Sequence, residues 1–389
     1  MSKIEQLIQQ YCADGVEYFS LNELFEMRNG YTPSTTNKDY WDDGIIPWFK
    51  MEDIRSHGNV LSDSYIHITP RAVKGKGLFN ANSIIIATSA TIGEHALVLV
   101  EHLTNQRFTN LYPHKRFEDR INMLFMNYYF DIVDDWCKSH TNQSSFASVD
   151  MKQLRNLLIP LPPLPVQEEI AKILDSFTEL QAELQAELQA RRQQYQYYRD
   201  KLLSFEGRDD VEWKKLGDVC EIGTGSHNTQ DGLAEGLYSF YTRGSEVLYL
   251  NDYDYDETAI ITAGDGAGVG KVFHFVQGKY ALHQRAYRIV PDEKKISARY
   301  LYYYIGATFY NYIMRSSVSS SVVSIRKPMM VNYPIPLPPL SVQEEIVATL
   351  DRFDALVNDL SQGLPAEMEA RKQQYEYYRD KLLTFKKKA

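Results

Sequence analysis

A length of 389 residues suits two or three domains, and a hydrophobic share of 44% beside 24% charged residues excludes a wholly disordered chain. Three scattered cysteines (Cys12, Cys137 and Cys220) form no CxxC pair, so neither a zinc site nor a disulfide framework is expected, and a reducing cytoplasm is the natural home. A net charge of −9 argues against a chain that coats nucleic acid non-specifically; no apolar run approaches the roughly 18 residues of a membrane helix, and the first twelve residues hold no apolar signal-peptide core.

In chain order, "VEYFSLNELFEMRNG" from Val16 opens a globular part with the β-rich runs "SIIIATS" and "ALVLV" and a helical stretch "INMLFMNYYFDIVDDWCK". The Pro-rich run "IPLPPL" at Ile159 stops whatever precedes it, because proline cannot continue a ladder or helix. A long helix is expected next. Ile173, Phe177, Leu180, Leu184, Leu188, Tyr195, Tyr198 and Leu202 recur at threes and fours, which is coiled-coil spacing. Within it lies "ELQAELQAELQA", a tetrapeptide repeated three times; one unit more or less changes the helix by about 6 Å and about 40° of rotation, the behaviour of a ruler.

The pattern then starts again. "VEWKKLGDVCEIGTG" from Val211 parallels the first opening, "TAIITA" and "KVFHFV" supply strands, and "ISARYLYYYIGATFYNYIMRS" a helix. "IPLPPLSVQEEI" at Ile335 repeats "IPLPPLPVQEEI" at Ile159. "RKQQYEYYRDKLLTF" at Arg371 matches "RRQQYQYYRDKLLSF" at Arg191 in twelve of fifteen positions. The second copy carries four more residues between these landmarks, with Gly363 and Pro365 predicting a kink there. Its apolar stripe runs through Ile346, Leu350, Phe353, Val357, Leu360, Leu364, Met368, Tyr375 and Tyr378, and Ser341 with Glu344 reads as a capping box. The expected fold class is α+β. Two similar mixed α/β domains, 1–158 and 207–334, are each followed by a Pro-rich turn and long spacer helix, 159–206 and 335–389. The obvious partner of each helix is its own repeat, and the whole has an internal pseudo-two-fold repeat.

Catalytic motifs fail one by one. "GDGAGVGK" at Gly264–Lys271 has Asp265 where a P-loop needs glycine and Val272 where it needs Ser or Thr, so a glycine-rich turn between strands is the better reading. No H-x-E, H-E-x-x-H or G-x-S-x-G pattern is present, and no metal ligand set or catalytic residue is assigned. What remains is recognition. Two similar, non-identical units on a rigid spacer suit two unlike targets at fixed separation, the geometry of half-sites along duplex DNA. A two-headed protein-binding scaffold is the alternative, with "IPLPPL" as a polyproline ligand, but the position of that run between a strand and a helix start favours a turn.

The duplicated "IPLPPL[PS]VQEEI", the two "YYRDKLL[ST]F" ends, the tetrapeptide repeat and the twin domain openings resemble the specificity (S) subunit of type I restriction–modification systems. That resemblance implies a non-catalytic, DNA-binding subunit in the cytoplasm, without cofactor of its own, whose two target recognition domains each read half of a bipartite, asymmetric site. It implies that the two long helices pack as an antiparallel coiled coil that spaces those domains and docks two methyltransferase (M) subunits carrying S-adenosylmethionine for N6-adenine methylation, with restriction (R) subunits using ATP and Mg. The DNA-contact candidates are Asn29, Tyr31, Thr32, Lys50, Arg55, Lys74, Lys76, Arg107, Ser144 and Ser145 in the first domain. In the second they are Ser226, His227, Tyr241, Arg243, Arg285, Ser319, Ser320 and Arg326. Arg and Lys supply donors to phosphates and guanine, and the smaller polar residues donors to base edges. The recurrence of Gln106–Arg107 as Gln284–Arg285 also suits a structural hydrogen bond shared by both folds. On the helices, Gln167, Glu168, Arg191, Arg199, Gln343, Glu344, Arg371 and Arg379 are assigned to partner docking or the spacer, and Tyr195 and Tyr375 to packing at the coiled-coil ends.

Overall fold

The computed structural model describes residues 2–142, 147–205, 207–208, 211–316, 324–359 and 361–388. Ser144, Ser145, Ser319, Ser320 and Leu360 therefore lie outside the described residues. The chain divides into two compact units, Met1–Ala182 with Ala370–Ala389, and Glu183–Glu369.

The first unit is built on a five-stranded sheet ordered Phe25–Asn29, Phe108–Pro113, Ser83–Ala87, His95–Val98 and Val60–Leu61. Side chains of the central strand alternate between faces, as the two-residue period demands. Ile84 and Ile86 join the core under the helix Met123–Ser139, whereas Ile85 and Ala87 pack with Ala96, Val98 and Phe108 on the other face. That helix starts where the Asn122 side chain accepts the Phe125 N–H at 2.9 Å. It buries Phe125, Met126, Tyr129, Phe130, Val133 and Cys137, spaced at threes and fours.

The second unit repeats the plan. Its six-stranded sheet runs Cys220–Thr224, Ala286–Pro291, Tyr255–Ala263, Phe273–Leu282, Tyr238–Tyr241 and Val247–Leu250, with the helix Ala298–Ser316 against it. The openings match element for element: strand Glu17–Ser20, one-turn helix Leu21–Leu24 and strand Phe25–Asn29 correspond to Glu212–Lys215, Leu216–Val219 and Cys220–Thr224. The glycine-rich run sits as expected in the turn between strands Tyr255–Ala263 and Phe273–Leu282, with Gly266 and Gly270 at φ 85° and 68°.

Two local expectations are corrected. The first proline of each "IPLPPL" run does not end the ladder: Pro160 pairs with Tyr18 and Pro336 with Trp213, in two-stranded sheets whose edges tolerate a residue without an N–H. The stop comes two residues later, at the paired prolines. The Ser341–Glu344 capping box does not form, because the helix already starts at Leu340 behind Pro339, without a side-chain cap, and Ser341 lies inside the first turn.

The first long helix is continuous over 39 residues, Leu164–Leu202. The second is interrupted, Leu340–Asn358 and Leu364–Leu383, at the four extra residues. A Cβ on Gly363 would stand 2.5 Å from the Ala355 carbonyl oxygen, so the break needs glycine there. Each unit contains the start of one helix and the end of the other. In the first, Val166 and Ile170 share a core with Leu382 and Leu383, while Phe177 lies against Tyr375 and stacks on Tyr378 at 5.7 Å. In the second, Ile346 and Leu350 share a core with Leu202 and Leu203, while Phe353 lies against Tyr195 and stacks on Tyr198 at 5.5 Å. These pairings run in opposite senses along the two segments, so the helices pack antiparallel, with Tyr195, Tyr198, Tyr375 and Tyr378 in ring contact across the seam.

Candidate nucleic-acid interface

At one end of each sheet the same loops come together, and their positions can be matched through the strand registers. Ala87 pairs with Phe108 as Ala263 pairs with Ala286. Ser89 is therefore the counterpart of Asp265, and each makes an isolated bridge, to Ser148 and Ser324. Likewise Asn105, Gln106 and Arg107 correspond to His283, Gln284 and Arg285.

The turn holding the arginine is fixed in the same way in both units. The Arg107 N–H donates to Asn105 Oδ1 at 2.9 Å, and the Arg285 N–H to His283 Nδ1 at 2.9 Å. The histidine is buried, and its pKa is lowered, by burial first and then by Arg243, so a neutral ring with Nδ1 as acceptor is the stable form. The preceding glutamine ties the turn to the loop after the first sheet strand: Gln106 accepts from Thr32, and Gln284 donates to Asn228. The two bonds are exposed and differ in direction and in partner.

In the first unit these contacts bring Asn29, Thr32 and Arg107 together. Asn29 accepts from Thr109 at 3.0 Å, and Thr109 meets Thr88, whose N–H bonds the Arg107 carbonyl. Lys50 follows Phe49, whose carbonyl accepts the Asn105 N–H, and so flanks the same turn. Arg107 is exposed, and its guanidinium has no partner among the described residues. The other candidates are engaged elsewhere. Tyr31 donates to the Ala72 carbonyl and accepts the Lys74 N–H, inside a small apolar cluster with Trp48. Lys74 lies over the Tyr40 ring, Arg55 is paired with Glu94 at 2.6 Å, and Lys76 approaches Glu26 at 3.9 Å.

In the second unit Arg243 and Arg285 converge on one carboxylate, Asp265, at 2.8 and 3.1 Å. Hydrogen bonds from Arg243 and then Arg285 hold the Asp265 carboxyl below the usual range. Arg326 stands beside this group, because the N–H of neighbouring Ile325 bonds the Gly264 carbonyl. Ser226 and His227 instead face Asp254, at 3.2 and 3.3 Å, and Tyr241 is half-buried between His274 and Tyr280.

The helix residues divide similarly. Gln167 and Gln343 are fully buried and cannot be docking groups. Gln167 accepts the Asn122 N–H at 2.8 Å and donates to the carbonyls of Arg120 and Pro162; Gln343 accepts the Ser297 N–H and donates to the Pro338 carbonyl, both at 2.8 Å. Each staples its helix start to the N-terminus of the sheet-packed helix. Glu168 and Glu344 are exposed. Arg191 and Arg371 bond Gln194 and Gln374, and Arg199 and Arg379 bond the adjacent Asp200 and Asp380.

Three features escaped the sequence. Tyr197 and Tyr377 are 61% and 62% exposed, at the same position of each repeat; their identity in two copies, off the apolar stripe, was the available signal. A tyrosine of each sheet-packed helix donates to an aspartate of the spacer helix, Tyr128 to Asp175 and Tyr303 to Asp351. Finally, His95 is buried with Nδ1 facing Asp134 at 2.6 Å and Nε2 facing the Asn127 carbonyl at 2.8 Å, beside Asp131. Both neighbours are acceptors, so the ring must donate from both nitrogens. Burial lowers its pKa, but Asp134 and then Asp131 outweigh that and the net shift is upward. An imidazolium in this place is an ion-pair partner, whereas metal ligation needs a free ring nitrogen. No described helix is long and apolar enough to cross a membrane.

Comparison with known proteins agrees with this architecture. The family model for the type I restriction modification DNA specificity domain matches residues 13–191 and 208–370. The chain is 37% identical over 382 residues to the type I restriction enzyme EcoprrI specificity subunit of Escherichia coli, covering 93% of each. It is 32% identical over 289 residues to the EcoR124I/EcoR124II specificity subunit of Escherichia coli, covering 64% of this chain and 69% of that one. The crystal structure of a type I restriction–modification S subunit from M. genitalium shares the fold with a TM-score of 0.60 at 13% identity, over 95% of this chain and 96% of that one. Duplicated recognition-type units on duplicated helices, together with these matches across both halves, place the chain in the type I restriction–modification DNA specificity family.

Proposed function

We propose that the two units each read one half of a bipartite, asymmetric duplex site, through the loop cluster around Arg107 in the first unit and around Arg243, Arg285 and Arg326 in the second. The observation that carries this reading is the pairing of one scaffold with two chemistries. Strand registers superpose, yet Ser89 becomes Asp265, Asn105 becomes His283, and Thr32 gives way to Asn228 as partner of the glutamine. A shared fold with exchanged loop side chains suits two different half-sites.

The chain contributes recognition, and its partners contribute catalysis. Two methyltransferase subunits dock on the repeated helix ends, where the exposed Tyr197 and Tyr377 join Arg191, Arg199, Arg371 and Arg379 as contact groups; aromatic and arginine side chains are the types enriched at such interfaces. Those subunits bring S-adenosylmethionine and methylate adenine at N6, and restriction subunits using ATP and Mg join for cleavage, all in the cytoplasm. The test is to express the chain with its methyltransferase in a host lacking other adenine methylation and to sequence the methylome. One bipartite motif, methylated on both strands and absent without this chain, is expected; scattered or absent methylation refutes the reading.

A further inference from the structure

The Arg243–Asp265–Arg285 group is more than a surface ion pair. Asp265 uses both carboxylate oxygens, Oδ1 toward Arg243 Nη1 and Oδ2 toward Arg285 Nη1. It holds two guanidiniums, from different loops, in one fixed orientation. Each guanidinium has five N–H donors on two bidentate edges. The carboxylate occupies an Nη1 position on each, so the Nε–Nη2 edges of both remain without acceptors among the described residues. The three side chains line two adjoining hollows of about 580 and 500 Å³, which share Thr229 and Arg243; Gly266 and Gly268 also line the larger. A Cβ on Gly266 would meet open space, so another backbone or a base edge can come close there.

Resting on the DNA reading above, we infer that Arg243 and Arg285, braced by Asp265, are the guanine-reading element of the second unit, and that the half-site read by this unit contains a G·C pair contacted in the major groove. The free Nε–Nη2 edge of an arginine matches the O6 and N7 acceptors of guanine. The carboxylate argues against the simpler role of a phosphate clamp. It reduces the charge of the group from two to one and puts a negative group next to the polyanion, which weakens backbone attraction while fixing direction. Direction matters for a base edge and little for a phosphate. Further support comes from the first unit, where Ser89 replaces the aspartate and Arg107 stands alone, so the two half-sites are read with different chemistry at matched positions.

The experiment uses the full chain assembled with its methyltransferase subunit and a duplex library randomised at both half-sites, comparing wild type, R285K and D265N. Wild type is expected to select a bipartite site with G·C at a defined position of one half. R285K should lose about 10- to 100-fold discrimination at that one position, the range of a bidentate arginine–guanine contact, and leave the other half-site unchanged. D265N should relax the same position without weakening binding to random duplex. Overall folding is checked by the unchanged selection at the other half. If wild type selects a site but R285K leaves selectivity at every position unchanged, the arginine does not read a base and the guanine assignment falls alone. If wild type selects no site, the DNA reading falls and takes the assignment with it.

Discussion

Replacing Gln167 by alanine tests whether the buried glutamine is the staple that fixes the first spacer helix to its unit. The substitution removes three hydrogen bonds, from the Asn122 N–H and to the carbonyls of Arg120 and Pro162. Leaving a buried polar group unpaired costs about 1–3 kcal/mol each. The bond to Pro162 is fully buried and the other two are partly so, which gives a loss of about 3–4 kcal/mol once water relieves the more exposed partners. Against a typical domain stability of about 5–15 kcal/mol this is a large fraction. Three of the four tryptophans, Trp41, Trp48 and Trp136, lie in the first unit, so urea unfolding followed by tryptophan fluorescence reports on it directly. The midpoint should fall strongly for Q167A, and Q167E should not rescue it, because a carboxylate cannot donate to the two carbonyls. Q343A, which breaks two bonds in the second unit, should leave this transition in place. A loss below about 1 kcal/mol for Q167A would show that water replaces the amide and that the staple reasoning is wrong.

The raised pKa of His95 makes the first unit sensitive to pH. Its contribution is fully present below the unfolded value of 6.5 and is lost as pH rises through the folded value. Asp134, Asp131, Arg379 and Tyr375 surround this network, and the Asp131 pKa, raised mainly by burial, acts with the same sign in the acid range. The fluorescence-detected melting temperature should therefore fall from about neutral pH upward, and H95Q should flatten that slope. Asp351 accepts from both Tyr303 and Arg299, whereas Asp175 has Tyr128 alone of that pair. D351N should accelerate hydrogen exchange of the Ala298–Ser316 amides more than D175N does for Met123–Ser139, by about 1 kcal/mol or less for groups this exposed. Inserting a fourth ELQA unit lengthens the helix by about 6 Å with about 40° of rotation, and methylome sequencing should report the same two half-motifs with a changed number of intervening base pairs. G363A forces a Cβ into the Ala355 carbonyl and should lower the stability of the second unit, read by Trp213 fluorescence.

The doubled architecture was legible because one copy served as the reference for the other. "VEYFSLNELF" beside "VEWKKLGDVC", and two "VQEEI" segments after two "PLPPL" runs, fix corresponding positions without any further sequence. Strands such as "SIIIATS" and the sheet-packed helices followed from their apolar periods. What stayed hidden depends on partners far away in the chain. "QEE" in a first helical turn reads as solvent-facing, and only the return of Asn122 and Ser297 to meet those side chains shows that the glutamine is enclosed. His95 and Asp134 are 39 residues apart and carry no spacing signal. The expected capping box failed for a local reason, since Pro339 starts the helix one residue before Ser341. Among the candidate contacts, Arg243 and Arg285 lie 42 residues apart and read as separate surface residues, and Asp265, which joins them, reads in the sequence only as a misplaced P-loop position.

The closure of the first unit by the last segment of the chain has a consequence for biosynthesis. Lys386 and Lys388 bond the backbone of Val16, Tyr18 reaches the Phe385 carbonyl, and Leu382 and Leu383 complete the core around Val166 and Ile170. The second unit is contiguous, Glu183–Glu369, and all of it is synthesised before those residues are. The half whose synthesis begins first thus waits for residues from far along the chain, holding an incomplete apolar seam until Ala370–Ala389 has been made and docks.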